Sequence, residues 1–183
     1  MKILYVRHGQ TDWNNENKVQ GRTDNPLNDI GVAQAYETAK KLEEENIDII
    51  ISSPQKRAFQ TAEIINEKHN KKIEINDKFV EVGFGDWEGQ SLDLNEFDFV
   101  KYYVENHGAL NGESTQDFTS RIYGALDDII EKYKNCDTIL IVAHGFVWRA
   151  VHMYFNPSLS LNTQEILFAK NCEVYEYYTE GKK

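Results

Sequence analysis

Apolar residues along this chain fall into short unbroken runs separated by longer amphipathic stretches. Residues 2 to 6, rich in Ile, Leu, Tyr and Val and stopped by Gly9, predict a short buried strand. A polar loop follows through Pro26. Val32, Ala35, Tyr36, Ala39 and Leu42 recur at helical spacing and predict a helix over 31–46, after which Ile47 to Ile51 predict a second buried strand. Ser53 as an N-cap, with Pro54 at the first helical position, predicts a helix that carries Ala58, Phe59, Ala62 and Ile65, with His69 near its end.

A shorter β segment around Ile73 and Ile75 leads to Phe79 and Val80, and Glu81 begins an irregular loop marked by Gly83, Gly85 and Gly89. Helices are predicted over 94–106 and 115–134, and the apolar run Thr138 to Ala143 has the profile of a central parallel strand. A helix from Phe146 to Phe155 follows, and Glu165 to Phe168 with Val174 to Tyr178 predict two closing strands, antiparallel at a sheet edge. No repeat, low-complexity tract or linker interrupts the chain. The alternation predicts one α/β domain over 1–183, a three-layer α/β/α sandwich with a mostly parallel central sheet. Ligands of such sheets sit beyond the carboxyl ends of the strands. His8, the pair Ser52 and Ser53, and His144 each follow a predicted strand, so a candidate site assembles from three strand ends.

Composition narrows the chemistry. With 183 residues, 40% of them hydrophobic, the chain can bury a real core. A formal net charge of -10 opposes a nucleic-acid partner, because binding to a phosphate backbone needs clustered Lys and Arg. Any anion must be drawn in locally, by a few cations concentrated in a pocket. Two cysteines, Cys136 and Cys172, make neither a disulfide framework nor a four-ligand zinc site, and read as reduced, buried thiols. The first apolar run is too short for a signal peptide, and no stretch approaches the roughly 20 apolar residues of a membrane span. The expectation is a soluble, cytoplasmic protein with no membrane partner; a homodimer is left open.

Arg7-His8-Gly9-Gln10-Thr11 sets a permanent cation beside an imidazole at a strand end, with a glycine that allows close backbone approach. Arg57 lies in the first turn of a predicted helix, where free N–H groups and the dipole already favour an anion and a guanidinium can fork onto phosphate oxygens. His144-Gly145 repeats the strand-His-Gly arrangement. Each feature alone fits a structural residue; two histidines in equivalent topological positions, together with an arginine at a helix start, point to phosphate chemistry. Arg7 and Arg57 would repel a metal ion from His8 and His144, so no metal or other cofactor is expected, and His69, His107 and His152 read as structural.

Those residues, with Trp13-Asn14, Gln20-Gly21, Pro26-Leu27, Gly31, Gln34-Ala35, Ser52-Ser53-Pro54, Ala58, Gln60-Thr61-Ala62 and Phe84-Gly85 with Trp87-Glu88-Gly89, resemble the histidine phosphatase (phosphoglycerate-mutase-like) superfamily in order across nearly the whole chain. The resemblance implies that His8 attacks phosphorus while Arg7, Arg57 and His144 hold the transferring oxygens. It implies that Glu81 is the general acid, with Glu88 as its rival, and that Asn14, Gln20, Gly21 and Gly145 contact phosphoryl group or substrate. Glu81 is preferred because it directly follows a strand-like segment, whereas Glu88 is expected to tie the glycine-rich loop to its neighbours. Between Ser91 and Asn111 the only cation is Lys101, where mutases of the family carry a longer basic insertion, and Phe146 replaces a polar residue typical of mutases. These departures favour a small-molecule phosphomonoesterase over a cofactor-dependent phosphoglycerate mutase, with a catalytically idle phosphate-binding module as a third reading.

Overall fold

Branched apolar residues that no helix face could share out evenly form the centre of the molecule. In the computed structural model, which describes residues 1–91, 96–160 and 169–179 and gives 96–99 by their backbone alone, they build one five-stranded sheet. The elements run β1 (Lys2–Arg7), α1 (Asp12–Asn15), α2 (Asp29–Leu42), β2 (Ile49–Ser52), α3 (Lys56–Asn66), β3 (Ile73–Ile75), α4 (Glu96–Glu105), α5 (Thr115–Lys132), β4 (Thr138–Ala143), α6 (Gly145–Phe155) and β5 (Val174–Tyr178). Single 3₁₀ turns occupy Asp77–Phe79 and Gly85–Trp87.

The strand order is β3-β2-β4-β1-β5, with β5 antiparallel to β1 and the other pairings parallel. Central β4 is buried at all six positions, because helices cover both faces of it. Leu4, Val6, Ile50, Leu140 and Val142 point to the layer of α2 and α3 and meet Ala39, Leu42, Ala62 and Ile65. Ile3, Tyr5, Ile51, Ile139 and Ile141 point the other way, against Phe118, Ile122, Leu126, Phe146, Val147 and Val151 of α5 and α6. The three-layer expectation is met, and the period-2 alternation of the strands assigns each residue its layer.

Local details differ from the expectation in ways that can be traced. The expected polar loop contains α1, whose start is a reciprocal cap: Asn14 N donates to Thr11 Oγ1 (3.1 Å) and Thr11 N to Asn14 Oδ1 (3.2 Å). Helix α2 begins at Asp29, because Asn28 Oδ1 accepts from Gly31 N at 2.9 Å; its buried stripe is Gly31, Ala35, Thr38, Ala39 and Leu42, while Val32 and Tyr36 are exposed. Ser53 does not cap α3. The helix begins two residues later, and the Asp24 carboxylate, from the polar loop, accepts from Lys56 N at 2.7 Å. Of the two closing strands only β5 falls within the described residues; Glu165 to Phe168 lies outside them. Cys172 is buried, but Cys136 is only half-buried.

Register is what positions the site. Arg7 pairs with Ala143 across β1 and β4, so the next residues, His8 and His144, leave the sheet side by side at its carboxyl edge. Ser52 pairs with Val142 on the other flank of β4, which brings Ser53 to the same edge.

Candidate active site

The two strand-end histidines face each other with ring centroids 5.2 Å apart. His8 is buried, and its ring is oriented from both nitrogens: Nδ1 donates to the Gly9 carbonyl at 2.7 Å, and Arg57 Nε donates to Nε2 at 3.2 Å. A guanidinium has only donors, so Nε2 must be the unprotonated nitrogen and Nδ1 the protonated one. Burial, followed by the charges of Arg57 and Arg7, pushes the His8 pKa well below its ordinary value against the opposing pull of the Gly9 carbonyl. The imidazole is therefore neutral and presents a lone pair beside two fixed cations.

His144 is also held neutral, by burial first and then by the arginine charges, that of Arg57 before that of Arg7. Its Nε2 lies 2.8 Å from Ser53 Oγ, and its buried Nδ1 has no hydrogen-bond partner among the described residues. Arg57, though almost fully buried, keeps its fork in place by donating from Nη1 to the Thr23 carbonyl (2.8 Å) and from Nη2 to the Gly21 carbonyl (2.8 Å). Arg7 Nη1 donates to the Ala169 carbonyl at 2.6 Å, and its charge acts on His8, His144 and Glu81.

Glu81 reaches this cluster from the loop after β3. Its Oε1 accepts from Val82 N (3.0 Å) and its Oε2 from Phe146 N (3.2 Å), in the first turn of the helix that His144 begins. Burial raises the Glu81 pKa against those two backbone donors and the Arg57 and Arg7 charges. A carboxyl so balanced can hold a proton and part with it. Glu88 is occupied differently. Its oxygens accept from Arg22 N, Phe84 N, Thr23 N and Thr23 Oγ1 at 2.7 to 3.1 Å, joining the loop after α1 to the glycine-rich loop.

Arg7, His8, Arg57, Glu81 and His144 thus converge at one sheet edge. Gly145 joins them as the first residue of α6. Asn14 places its carbonyl oxygen in the α1 cap, and Gln20 Oε1 accepts from Thr11 Oγ1 (2.9 Å) and Asn25 Nδ2 (3.3 Å). Gly21, at φ +53°, turns its carbonyl to Arg57. These three build the loop that holds Arg57. Phe146 does not line the site with its ring, which is buried at the edge of Phe84 (5.2 Å) and Tyr103 (5.3 Å); only its backbone N–H serves the acid.

Sequence reasoning missed Gln55, a buried bridge that donates from Nε2 to the Gly21 carbonyl (3.1 Å) and accepts from Glu81 N at Oε1 (2.8 Å). It gave no role to Thr61, whose Oγ1 accepts from Gly9 N at 3.1 Å, and it missed Glu113 with Arg121. None of these bonds has a local sequence signal. Beside the acid loop an open cavity of about 310 Å³ is lined by Arg22, Gly83, Glu88, Asn111 and Glu113 among others.

Comparison with known proteins gives the family of the chain. Residues 3–183 match the pattern of the histidine phosphatase superfamily (branch 1). The chain is 43% identical over 143 residues to the uncharacterized phosphatase PhoE of Bacillus subtilis (78% of this chain, 71% of that one). It is 30% identical over 190 residues to the putative phosphoserine phosphatase 2 of Hydrogenobacter thermophilus (100% and 92%), and 36% over 166 residues to the phosphoglycerate mutase-like protein 4 of Arabidopsis thaliana (86% and 72%). The solved structure of YhfR from Bacillus stearothermophilus superposes with a TM-score of 0.87 at 28% identity, covering 98% of this chain and 92% of that one. This chain belongs to the histidine phosphatase superfamily.

Proposed function

We propose that this chain is a phosphomonoesterase that hydrolyses a small-molecule phosphate ester through a phosphohistidine on His8, within one cytoplasmic catalytic domain spanning residues 1–183. The observation that carries the reading is the orientation of His8: neutral, protonated on Nδ1, with the Nε2 lone pair beside the Arg57 guanidinium.

In the first step the His8 Nε2 lone pair forms a bond to phosphorus as the ester P–O bond breaks. Arg7, Arg57 and His144 hold the three equatorial oxygens over which charge is spread. The departing oxygen takes the Glu81 proton. In the second step a water oxygen attacks phosphorus, gives its proton to the Glu81 carboxylate, and the P–N bond breaks to release inorganic phosphate and restore His8. The two guanidinium groups supply the charge that a metal would otherwise supply, and the neutral His144 ring adds a hydrogen bond.

One feature supports hydrolysis of a small ester over mutase chemistry. Lys101, the one cation between Ser91 and Asn111, is half-exposed and 3.8 Å from Glu105, so it offers no dedicated site for a second acidic group. The phosphatase names of the B. subtilis and H. thermophilus relatives accord with this choice.

The test is rapid quenching with labelled substrate, after phosphate release has been profiled over sugar phosphates, nucleotides, glycerates and phosphopeptides. An acid-labile, base-stable adduct is expected, absent from His8→Ala and undiminished after exhaustive chelation. Full turnover by His8→Ala removes the mechanism, and a primer-dependent mutase rate well above hydrolysis makes the chain an isomerase.

A further inference from the structure

The segment that carries Glu81 belongs to no strand or α-helix, so its backbone groups need partners from elsewhere. Three of its carbonyls are met by one side chain. Arg121, on α5, donates from Nη1 to the carbonyls of Lys78 (2.6 Å) and Val80 (2.9 Å), and from Nη2 to the carbonyl of Glu81 itself (3.2 Å). Its remaining donors fork onto Glu113, Nε to Oε1 at 2.6 Å and Nη2 to Oε2 at 2.8 Å. A guanidinium has five N–H groups, and five bonds engage them.

Glu113 closes the arrangement. Its backbone N–H donates to the Gly83 carbonyl at 2.7 Å, and its Oε2 accepts from Gly83 N at 3.2 Å. Both side chains are largely shielded, 17% exposed for Arg121 and 11% for Glu113. Burial works against the Glu113 charge, but the Arg121 hydrogen bond and charge outweigh it and keep the carboxylate ionised. The pair thus grips the acid's loop from Lys78 to Gly83, with the Arg121 charge answered by Glu113, to which the half-exposed Arg22 Nη2 adds a longer ion pair at 3.4 Å. An unpaired arginine here would place a third cation against a carboxyl that already faces Arg7 and Arg57.

We propose that Arg121 and Glu113 are positioning residues for the general acid: by clamping residues 78–83 they hold the Glu81 carboxyl where the leaving oxygen departs. The inference rests on the reading of Glu81 as that acid. Neither residue touches the phosphoryl group; both act through the backbone of Glu81. Lysine cannot replace Arg121, since three donors on one nitrogen cannot reach three carbonyls and both oxygens of a carboxylate.

A displaced acid harms only those leaving groups that need a proton. The experiment is burst kinetics of His8 phosphorylation, with an alkyl phosphate and with p-nitrophenyl phosphate, on wild type, Arg121→Met, Glu113→Gln, Glu81→Gln and the double variant Arg121→Met/Glu81→Gln. Both substrates are read on the same preparation, so a smaller folded fraction cancels in their ratio. Arg121→Met is expected to slow the alkyl ester by about 10²-fold, the effect of an ångström-scale misplacement, and the aryl ester far less. Glu113→Gln should show the same selectivity to a lesser degree, and it decides the matter if Arg121→Met yields too little folded enzyme. In the double variant the Arg121 change should add no further selectivity.

Equal slowing of both esters in the Arg121 and Glu113 variants, alongside selective slowing in Glu81→Gln, overturns the positioning role and leaves the acid in place. Added selectivity in the double variant overturns it as well. No selectivity in Glu81→Gln removes the acid itself, and the positioning role with it.

Discussion

Arg57 Nε donates to His8 Nε2 across 3.2 Å, while the other nitrogen of the same ring is tied to the Gly9 carbonyl. The attacking nitrogen and the cation that will face the phosphoryl oxygens are thereby aligned before any substrate arrives. Arg57 itself is braced by the Gly21 and Thr23 carbonyls, a geometry that one ammonium group cannot reproduce. Arg57→Lys is expected to lower kcat/KM for p-nitrophenyl phosphate by about 10²- to 10³-fold, the usual cost of one preorganised donor. A loss below tenfold would show that Arg57 merely builds the loop.

The buried histidines make an acid limb in stability. His8 and His144 have folded-state pKa values below the ordinary value of about 6.5, with burial the leading cause for each. Between those depressed values and 6.5 the unfolded chain binds more protons than the folded one. Their contribution is present above that range and is lost as pH falls through it. Urea midpoints of His144→Asn and wild type, taken at pH 7.5 and 5.5, should shift in favour of the variant at the lower pH. A difference independent of pH would mean that His144 is not held neutral.

Glu81 has the opposite sign. Its folded-state pKa is raised, burial being the main cause, so its favourable contribution is complete below its ordinary range and is lost as pH rises through the folded value. Glu81→Gln should therefore melt higher than wild type at pH 7.5, and that advantage should vanish near pH 4. A variant less stable than wild type at pH 7.5 would show that the carboxylate is well compensated where it lies.

Three glycines separate close packing from open space. A Cβ on Gly31 would run into the backbone of Gln10, and one on Gly9 into the Gly31 carbonyl, so the nucleophile's loop and the start of α2 touch through backbone. Gly31→Ala is expected to cost about 1–3 kcal/mol or more, as overpacking does. Gly124, within α5, has nothing among the described residues within 4 Å of an added Cβ, and Gly124→Ala should stabilise by about 0.5–1 kcal/mol through helix propensity. Denaturant midpoints check both, and equal effects would contradict the packing described at Gly9.

The layered fold and the strand-end histidines were legible in the sequence because a parallel strand buried on both faces leaves an unbroken apolar run. Thr138 to Ala143 is such a run, and the residue after it is placed by the strand itself. Arg7, His8 and His144 were found that way, while Arg57 and Glu81 needed the wider pattern of residues to be noticed. Tertiary structure alone decided the rest. Nothing near Asp24 announces that it will cap α3, nothing near Gln55 that it will join the Gly21 carbonyl to the acid's backbone, and nothing near Arg121 that its donors will be divided between Glu113 and residues 78–81. Apart from the Arg121–Glu113 pair, those bonds link segments far apart along the chain, and their partners meet only when α3 and α5 are docked on the two faces of one sheet. Local patterning sets which face of an element is apolar; which distant polar group completes a buried hydrogen bond depends on the docking of whole elements, to which local periodicity is blind.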